Sequence, residues 1–91
     1  MRKTKNKFNF LEMPREVIST DPKITILGFN QILIENYKVI LEYQEFFIRI
    51  NTHIGIININ GYNLSLEEMT TDDIVVKGKI ENVDFETIED D

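Results

Sequence analysis

The chain has 91 residues, of which 42% are hydrophobic and 29% charged, and its formal net charge is −6. This length fits one domain with a single modest core, and the lack of cysteine excludes disulfides, thiolate chemistry and cysteine zinc sites. No apolar run approaches the roughly 18 residues of a membrane-spanning helix, and the N-terminus lacks the apolar centre of a signal peptide. We therefore expect a cytoplasmic protein.

The N-terminal tip is basic and the rest of the chain is acidic. Four cations lie within residues 1–7, which leaves the remaining residues at −10, the difference between −6 and +4. An acidic body repels phosphate backbones, so we expect no nucleic-acid binding. We predict that residues 1–7 are disordered, and weak contact of this tip with an anionic membrane surface is the alternative.

Residues 8–23 form a segment of their own. Pro14 and Pro22 limit any helix there to a turn or two, and a short helix over residues 14–19 would suit a proline at its first position. We expect this segment, helical or extended, to cap one end of a sheet. At the other end of the chain, residues 87–91 form an acidic tail.

Apolar and polar residues alternate from Ile24 to Phe85, which is typical of half-buried strands. The fold class predicted is therefore all-β, in one small domain. Because the connections are short, we expect antiparallel neighbours in a meander, closed as a curled sheet, a sandwich or a small barrel. The seven predicted strands cover residues 23–28, 30–35, 37–44, 46–53, 55–60, 62–67 and 73–81.

Turn residues separate these strands. Asn60 and Gly61 are the pair that favours a type I′ hairpin turn, so we expect a hairpin there. Further turns are predicted at residues 35–36, 44–45 and 52–55. The apolar phase changes from even to odd numbers between Ile80 and Val83, which predicts a bulge near Glu81 and Asn82.

Few residues offer chemistry. His53 is the sole histidine and has no serine or cysteine nucleophile near it in sequence, so a surface histidine is the simpler interpretation. Four acidic residues flank the loop after residue 66. Paired carboxylates of this kind can act as acid and base or hold calcium, but the Asp-x-Asp-x-Asp-Gly alternation of a calcium loop is missing. A solvated loop with Thr71 or Asp72 as its turn residue fits better, and we assign no catalytic, cofactor-binding or metal residues. The four acidic residues are Glu67, Glu68, Asp72 and Asp73.

Three short segments near the N-terminus form an ordered pattern: residues 11–17 with Pro14, residues 21–28 with Pro22, and residues 34–37. In this pattern, and over residues 8–86 as a whole, the chain resembles the YabP/YqfC family, and its YqfC branch in particular. Downstream, the order of apolar residues and glycines in residues 52–85 is also similar to the family's β pattern. The positions that match the pattern, and that we interpret as backbone determinants, are Pro14, Pro22, Gly28, Gly61 and Gly78.

The resemblance implies a process. These are small, non-enzymatic proteins of endospore-forming Firmicutes, made in the mother cell and without an assigned cofactor. It further implies docking on a membrane-associated sporulation partner at the forespore membrane, which an exposed strand edge could support. Two alternatives are a small β-barrel whose pocket is lined by aromatic residues and an enzyme using the acidic loop. The partner's identity and the oligomeric state stay open.

Overall fold

A computed structural model describes residues 20–87, which form one antiparallel six-stranded sheet. The predicted all-β class is confirmed, and within these residues no helix is long and apolar enough to cross a membrane. The predicted helix over residues 14–19, the basic tip and residues 88–91 lie outside the described residues. The strands are β1 (Lys23–Leu27), β2 (Gln31–Glu35), β3 (Tyr37–Gln44), β4 (Phe47–Thr52), β5 (Gly55–Glu67) and β6 (Asp73–Thr87).

The predicted hairpin at Asn60 and Gly61 is wrong. β5 runs unbroken through both residues, so the two strands expected over residues 55–67 are one, and the count is six. Gly61 pairs with Ile80 of β6, and a Cβ atom added to Gly61 would collide with the carbonyl oxygen of Lys79. The glycine is needed because two backbones approach closely in mid-strand, which is the other physical reason for glycine in a β pattern.

A second close approach lies one step further along the same pair of strands. A Cβ atom on Gly78 would stand 2.6 Å from the carbonyl oxygen of Asn63, and Gly78 itself has a φ of 137°. Two residues of β5, Asn63 and Leu64, fall opposite Gly78, because Tyr62 pairs with Lys79 and Ser65 with Lys77. Asn63 takes a φ of 54°, which asparagine tolerates better than most residues.

The bulge predicted near Glu81 and Asn82 is confirmed. Asn60 pairs with Asn82 and Gly61 with Ile80, which leaves Glu81 without an opposite residue on β5. Such an extra residue bends the strand and reverses the faces of the residues beyond it. Ile80 and Val83 therefore both pack against the core, although residues three apart in a regular strand would face opposite sides.

These irregularities bend the sheet back over itself. β2 and β4 are separated by β6 and β5 in the strand order β1-β2-β6-β5-β4-β3. Only Asn36 nevertheless links β2 to β3 at the far edge, so the sheet must curl until its two parts face each other. The isoleucines of β2 and β4 belong to one buried cluster. Each fully buried isoleucine contributes about 1.5–3 kcal/mol by leaving water. The cluster contains Ile32, Ile34, Ile48, Ile50, Ile57, Ile59, Leu64, Ile74 and Val76.

The link from β2 to β3 also differs from a simple meander. Only Asn36 separates these strands, with a φ of 66°, yet β2 pairs with β1 and β6 while β3 pairs with β4 at the far edge. The chain crosses from one layer to the other at this residue, where the amide of Tyr37 donates to the carbonyl of Asp72 at 3.1 Å. Within residues 20–87, β1 and β3 do not pair, so the sheet does not close into a barrel.

The close approach at Gly61 predicts that a glycine-to-asparagine substitution lowers stability more at this position than at Gly28. Gly61→Asn should lower the free energy of unfolding by at least about 2 kcal/mol, because the new side chain meets the Lys79 carbonyl. Gly28→Asn is the matched control: Gly28 has a φ of 59°, and a Cβ atom there would stand at an ordinary contact distance of 3.7 Å from Oδ1 of Asn30. Asparagine accepts that conformation. Thermal unfolding should place the first variant at least about 8 °C below the second. Equal melting temperatures would contradict this and favour the hairpin, since asparagine suits a type I′ turn.

Candidate interaction surface

The residues singled out for chemistry lie apart on the surface. His53 is exposed in the bend between β4 and β5, and the acidic residues flank an exposed loop between β5 and β6. Within residues 20–87, no group of three His, Cys, Asp or Glu side chains could hold a metal ion. Thr70 organises the loop, in place of the predicted Thr71 or Asp72. Its amide donates to the carbonyl of Asp73 at 2.8 Å, and its Oγ1 accepts from the amide of Asp73 at 2.9 Å.

A polar network crosses the outer face of three strands. Arg49, Asn58 and Asp84 are direct cross-strand partners on β4, β5 and β6. Asn58 is 7% exposed: its Oδ1 accepts from Nε of Arg49 at 3.2 Å, and its Nδ2 donates to Asp84 at 2.9 Å and to Glu86 at 2.8 Å. Glu86 completes the network through an ion pair with Nη2 of Arg49 at 3.1 Å. Arg49 alternates along β4 with the buried Ile48 and Ile50, but only the register between strands reveals its partners.

The network changes the acidity of one carboxylate. The hydrogen bond from Asn58 is the largest influence and lowers the pKa of Glu86 below its ordinary value of 4.5. Desolvation opposes it, and the hydrogen bond and the charge of Arg49 lower the pKa further. Because the side chain of Glu86 is half exposed, solvent screens this interaction. The network therefore connects β4, β5 and β6 on the outer face. Glu86 itself remains an ordinary surface carboxylate.

β3 covers one of the two sides of the folded sheet. The hydroxyl of Tyr37 donates to the carbonyl of Thr70 at 3.0 Å, and the hydroxyl of Tyr43 accepts from the amide of Leu66 at 3.3 Å. The edge of β3 is also irregular, because Lys38 and Leu41 are extra residues relative to β4. Bulges of this kind protect an edge strand from pairing with another chain.

The opposite side is open. β6 pairs with β2 only up to Lys77, and the loop before β2 extends this contact with hydrogen bonds from Gly78 and Ile80. From Asn82 to Thr87, β6 pairs with β5 alone among the described residues. Alternate residues of this stretch therefore present unpaired N–H and C=O groups along its free edge.

An apolar cleft of about 300 Å³ lies beside this free edge. Phe85 pairs with buried Ile57 and so faces the inside of the fold, but it is 61% exposed, and Ile54 is 53% exposed. The hydroxyl of Thr52 donates to the carbonyl of Gly55 at 2.7 Å, so it offers the cleft no free donor. The cleft is lined by Pro22, Ile24, Thr52, Ile54, Gly55, Ile56, Ile57, Phe85, Glu86 and Thr87.

The sequence placed Phe85 on the core face beyond the phase change, but it gave no sign that this face is uncovered. This cleft is not the pocket lined by several aromatic residues that the barrel alternative requires, since Phe85 is the one aromatic residue among its lining residues. Exposed apolar side chains beside an unpaired strand are typical of a surface that another chain covers.

The polar network predicts a pH-dependent stability difference. A carboxylate with a lowered folded-state pKa stabilises the fold at pH values above its ordinary 4.5 and loses that contribution as the pH falls through the folded-state pKa. Glu86→Gln should therefore melt below the unaltered protein at pH 7, and this difference should shrink as the pH falls below 4.5. Glu45→Gln, at a turn residue, controls for the loss of one negative charge. A Glu86→Gln difference that stays constant down to pH 3 would rule out this coupling.

Comparison with known proteins gives a consistent result. The family model of the YabP family matches residues 19–91. The uncharacterized protein YqfC of Bacillus subtilis (strain 168) is 31% identical to the chain over 75 residues, which cover 82% of this chain and 81% of YqfC. No solved structure gives a significant match. The family match and this relative together confirm the resemblance seen in the sequence, and the chain belongs to the YabP/YqfC family.

Proposed function

We propose that the protein is a non-enzymatic interaction module of endospore formation. In this proposal it acts in the mother cell, at the periphery of the forespore membrane, where it docks on a membrane-associated sporulation protein. Membership of the YabP/YqfC family, a family that the sequence resemblance connects with sporulation, supports the process.

The observation that carries the interaction role is the open side of the fold. Asn82–Thr87 has no partner strand on one side within the described residues, and the exposed side chains of Ile54 and Phe85 lie at the adjacent cleft. A partner strand that pairs with this edge would cover the apolar cleft and satisfy the free backbone groups together. The acidic body of the chain also favours a protein partner over a phosphate-rich one.

A ligand-binding module is the second candidate, and the cleft is the observation that favours it. Its volume of about 300 Å³ is at the lower end of ligand pockets, which also need converging polar groups to orient a ligand. Thr52 uses its hydroxyl within the fold, and Glu86 is held on the outer face by Asn58 and Arg49. We therefore expect no rise in melting temperature above about 1 °C with metabolites, nucleotides or divalent ions, whereas a ligand at 100 times its Kd would add about 2.7 kcal/mol.

The proposal predicts a sporulation defect. Deletion of the gene in its endospore-forming host should lower the yield of heat-resistant spores, and affinity capture from sporulating cells should recover a membrane-associated protein. Normal spore yield together with an empty capture would refute the proposed function.

An alanine variant separates interaction from acid–base chemistry. The variant with alanine at all four loop acids, Glu67, Glu68, Asp72 and Asp73, should restore spore yield in the deletion strain as well as the unaltered gene does. These side chains lie on the exposed loop between β5 and β6 and its flanks, away from the residues that line the cleft. Failure of this variant to restore spores, although it folds, would favour the enzyme hypothesis.

A further inference from the structure

We propose that the edge of β6 from Asn82 to Thr87 is the docking site for an extended segment of a partner protein in which apolar and basic side chains alternate. This inference rests on the proposed interaction role and adds which surface binds and which chemistry it selects. Three properties of the edge support it: its regular backbone, its uncovered apolar face and its charge.

The backbone of this stretch is regular. Its register with β5 advances one residue at a time from Asn82 opposite Asn60 to Thr87 opposite Gly55, in contrast to the edge of β3, which carries two irregularities. β1 is also an edge strand, but it has only five residues. An added strand needs several successive residues with an even pattern of N–H and C=O groups, and among the described edges the end of β6 provides the longest such run.

The inner face of this edge is apolar and uncovered. Val83 and Phe85 point inward, since they pair with the buried residues Ile59 and Ile57. Ile24 and Ile54 line the same cleft as Phe85. A strand added beside β6 would place every second side chain over this cleft, so those side chains should be apolar.

The outer face of the same edge is acidic. Residues 81–91 contain six carboxylates and no basic residue: Glu81, Asp84, Glu86, Glu89, Asp90 and Asp91. Among the described ones, Glu86 has Arg49 as its cation and Glu81 has Lys79 at 3.8 Å. Asp84 accepts a hydrogen bond from the uncharged Asn58 amide. The outward-facing side chains of an added strand would lie beside Asp84 and Glu86, where basic residues are favoured and acidic ones are repelled.

This charge argues against pairing of the edge with its own copy. Two β6 edges side by side would bring Asp84 and Glu86 of one copy against the same residues of the other, and like charges opposite each other are destabilising. A basic segment of a different protein avoids that repulsion. The partner is thereby defined by its chemistry: an extended stretch with valine-like residues on one face and lysine or arginine on the other.

Three labelled peptides test the site on the full-length protein. The first alternates five valines with five lysines, the second alternates valine with glutamate, and the third has five valines followed by five lysines. Fluorescence anisotropy should show that the first binds at least about tenfold more tightly than either of the others, because each of those lacks one of the two matched patterns. Backbone amide NMR signals of residues 82–87 should shift when it binds.

Two aromatic residues of similar exposure supply a matched pair of variants. Phe85→Ala should weaken binding of the valine–lysine peptide by about tenfold, and it should fold, because Phe85 is 61% exposed. Phe46→Ala removes a side chain that is 58% exposed at the β3–β4 turn, and it should leave binding within about twofold. Equal effects of the two variants, shifts confined to other strands, or equally tight binding of the glutamate peptide would overturn the site.

Sedimentation of the free protein tests the other occupants of this edge. If the free protein sediments as a dimer and the Phe85→Ala variant sediments as a monomer, the edge binds a second copy of the chain, and the proposal is overturned. If the valine–lysine peptide binds only after residues 1–19 are removed, the edge is occupied by the chain's own N-terminal segment, and the proposal is likewise overturned.

If the peptide binds as expected but gene deletion leaves spores normal, the site stands and the proposed function falls. If deletion impairs spores but the peptide leaves residues 82–87 unchanged, the function stands and the site falls.

Discussion

The close approach of β5 and β6 at Gly61 and Gly78 is the constraint on which the rest of the fold depends. Gly61 lies against the carbonyl of Lys79, and Gly78 lies against the carbonyl of Asn63, with no room for a Cβ atom at either place. Extra residues on both strands accompany these contacts and bend the pair. Because the two long strands belong to both parts of the sheet, their bend brings the isoleucines of β2 and β4 into one core. A 91-residue chain without cysteine thus obtains a two-layered core from a single sheet.

The same bend creates the surface to which we assign function. Up to Lys77, β6 lies beside β2, and the loop before β2 accompanies it as far as Ile80. Beyond the Glu81 bulge, β6 turns away from β2 and keeps only β5 as a neighbour within residues 20–87. On the opposite side, β3 lies against the end of β5 through its tyrosines. One side of the fold is therefore covered, and the other leaves an apolar cleft beside an edge that has no partner strand among the described residues. This is the surface that the proposed interaction role would use.

The sequence predicted where the strands and the bulge lie better than it predicted which strands pair with each other. Alternation located the strands, and the phase change at Ile80 and Val83 located the Glu81 bulge, because the side-chain period of a strand depends on the strand alone. The hairpin predicted at Asn60–Gly61 was wrong because a glycine at a close approach of two backbones and a glycine in a type I′ turn have the same sequence signal. The one-residue link at Asn36 was equally ambiguous between a hairpin and a corner. The network of Arg49, Asn58 and Asp84 depends on register across three strands, which no single segment specifies.

The most direct test of this description is hydrogen exchange of individual backbone amides in the free, full-length protein. We expect the amides of β5 between Ile56 and Asn60, which has strands on both sides, to exchange slowly throughout. Between Asn82 and Thr87, alternate amides should exchange as fast as those of exposed loops, while the intervening amides, bonded to β5, stay protected. Uniform protection from Asn82 to Thr87 would show that the edge is already occupied, and it would contradict an open docking surface on β6.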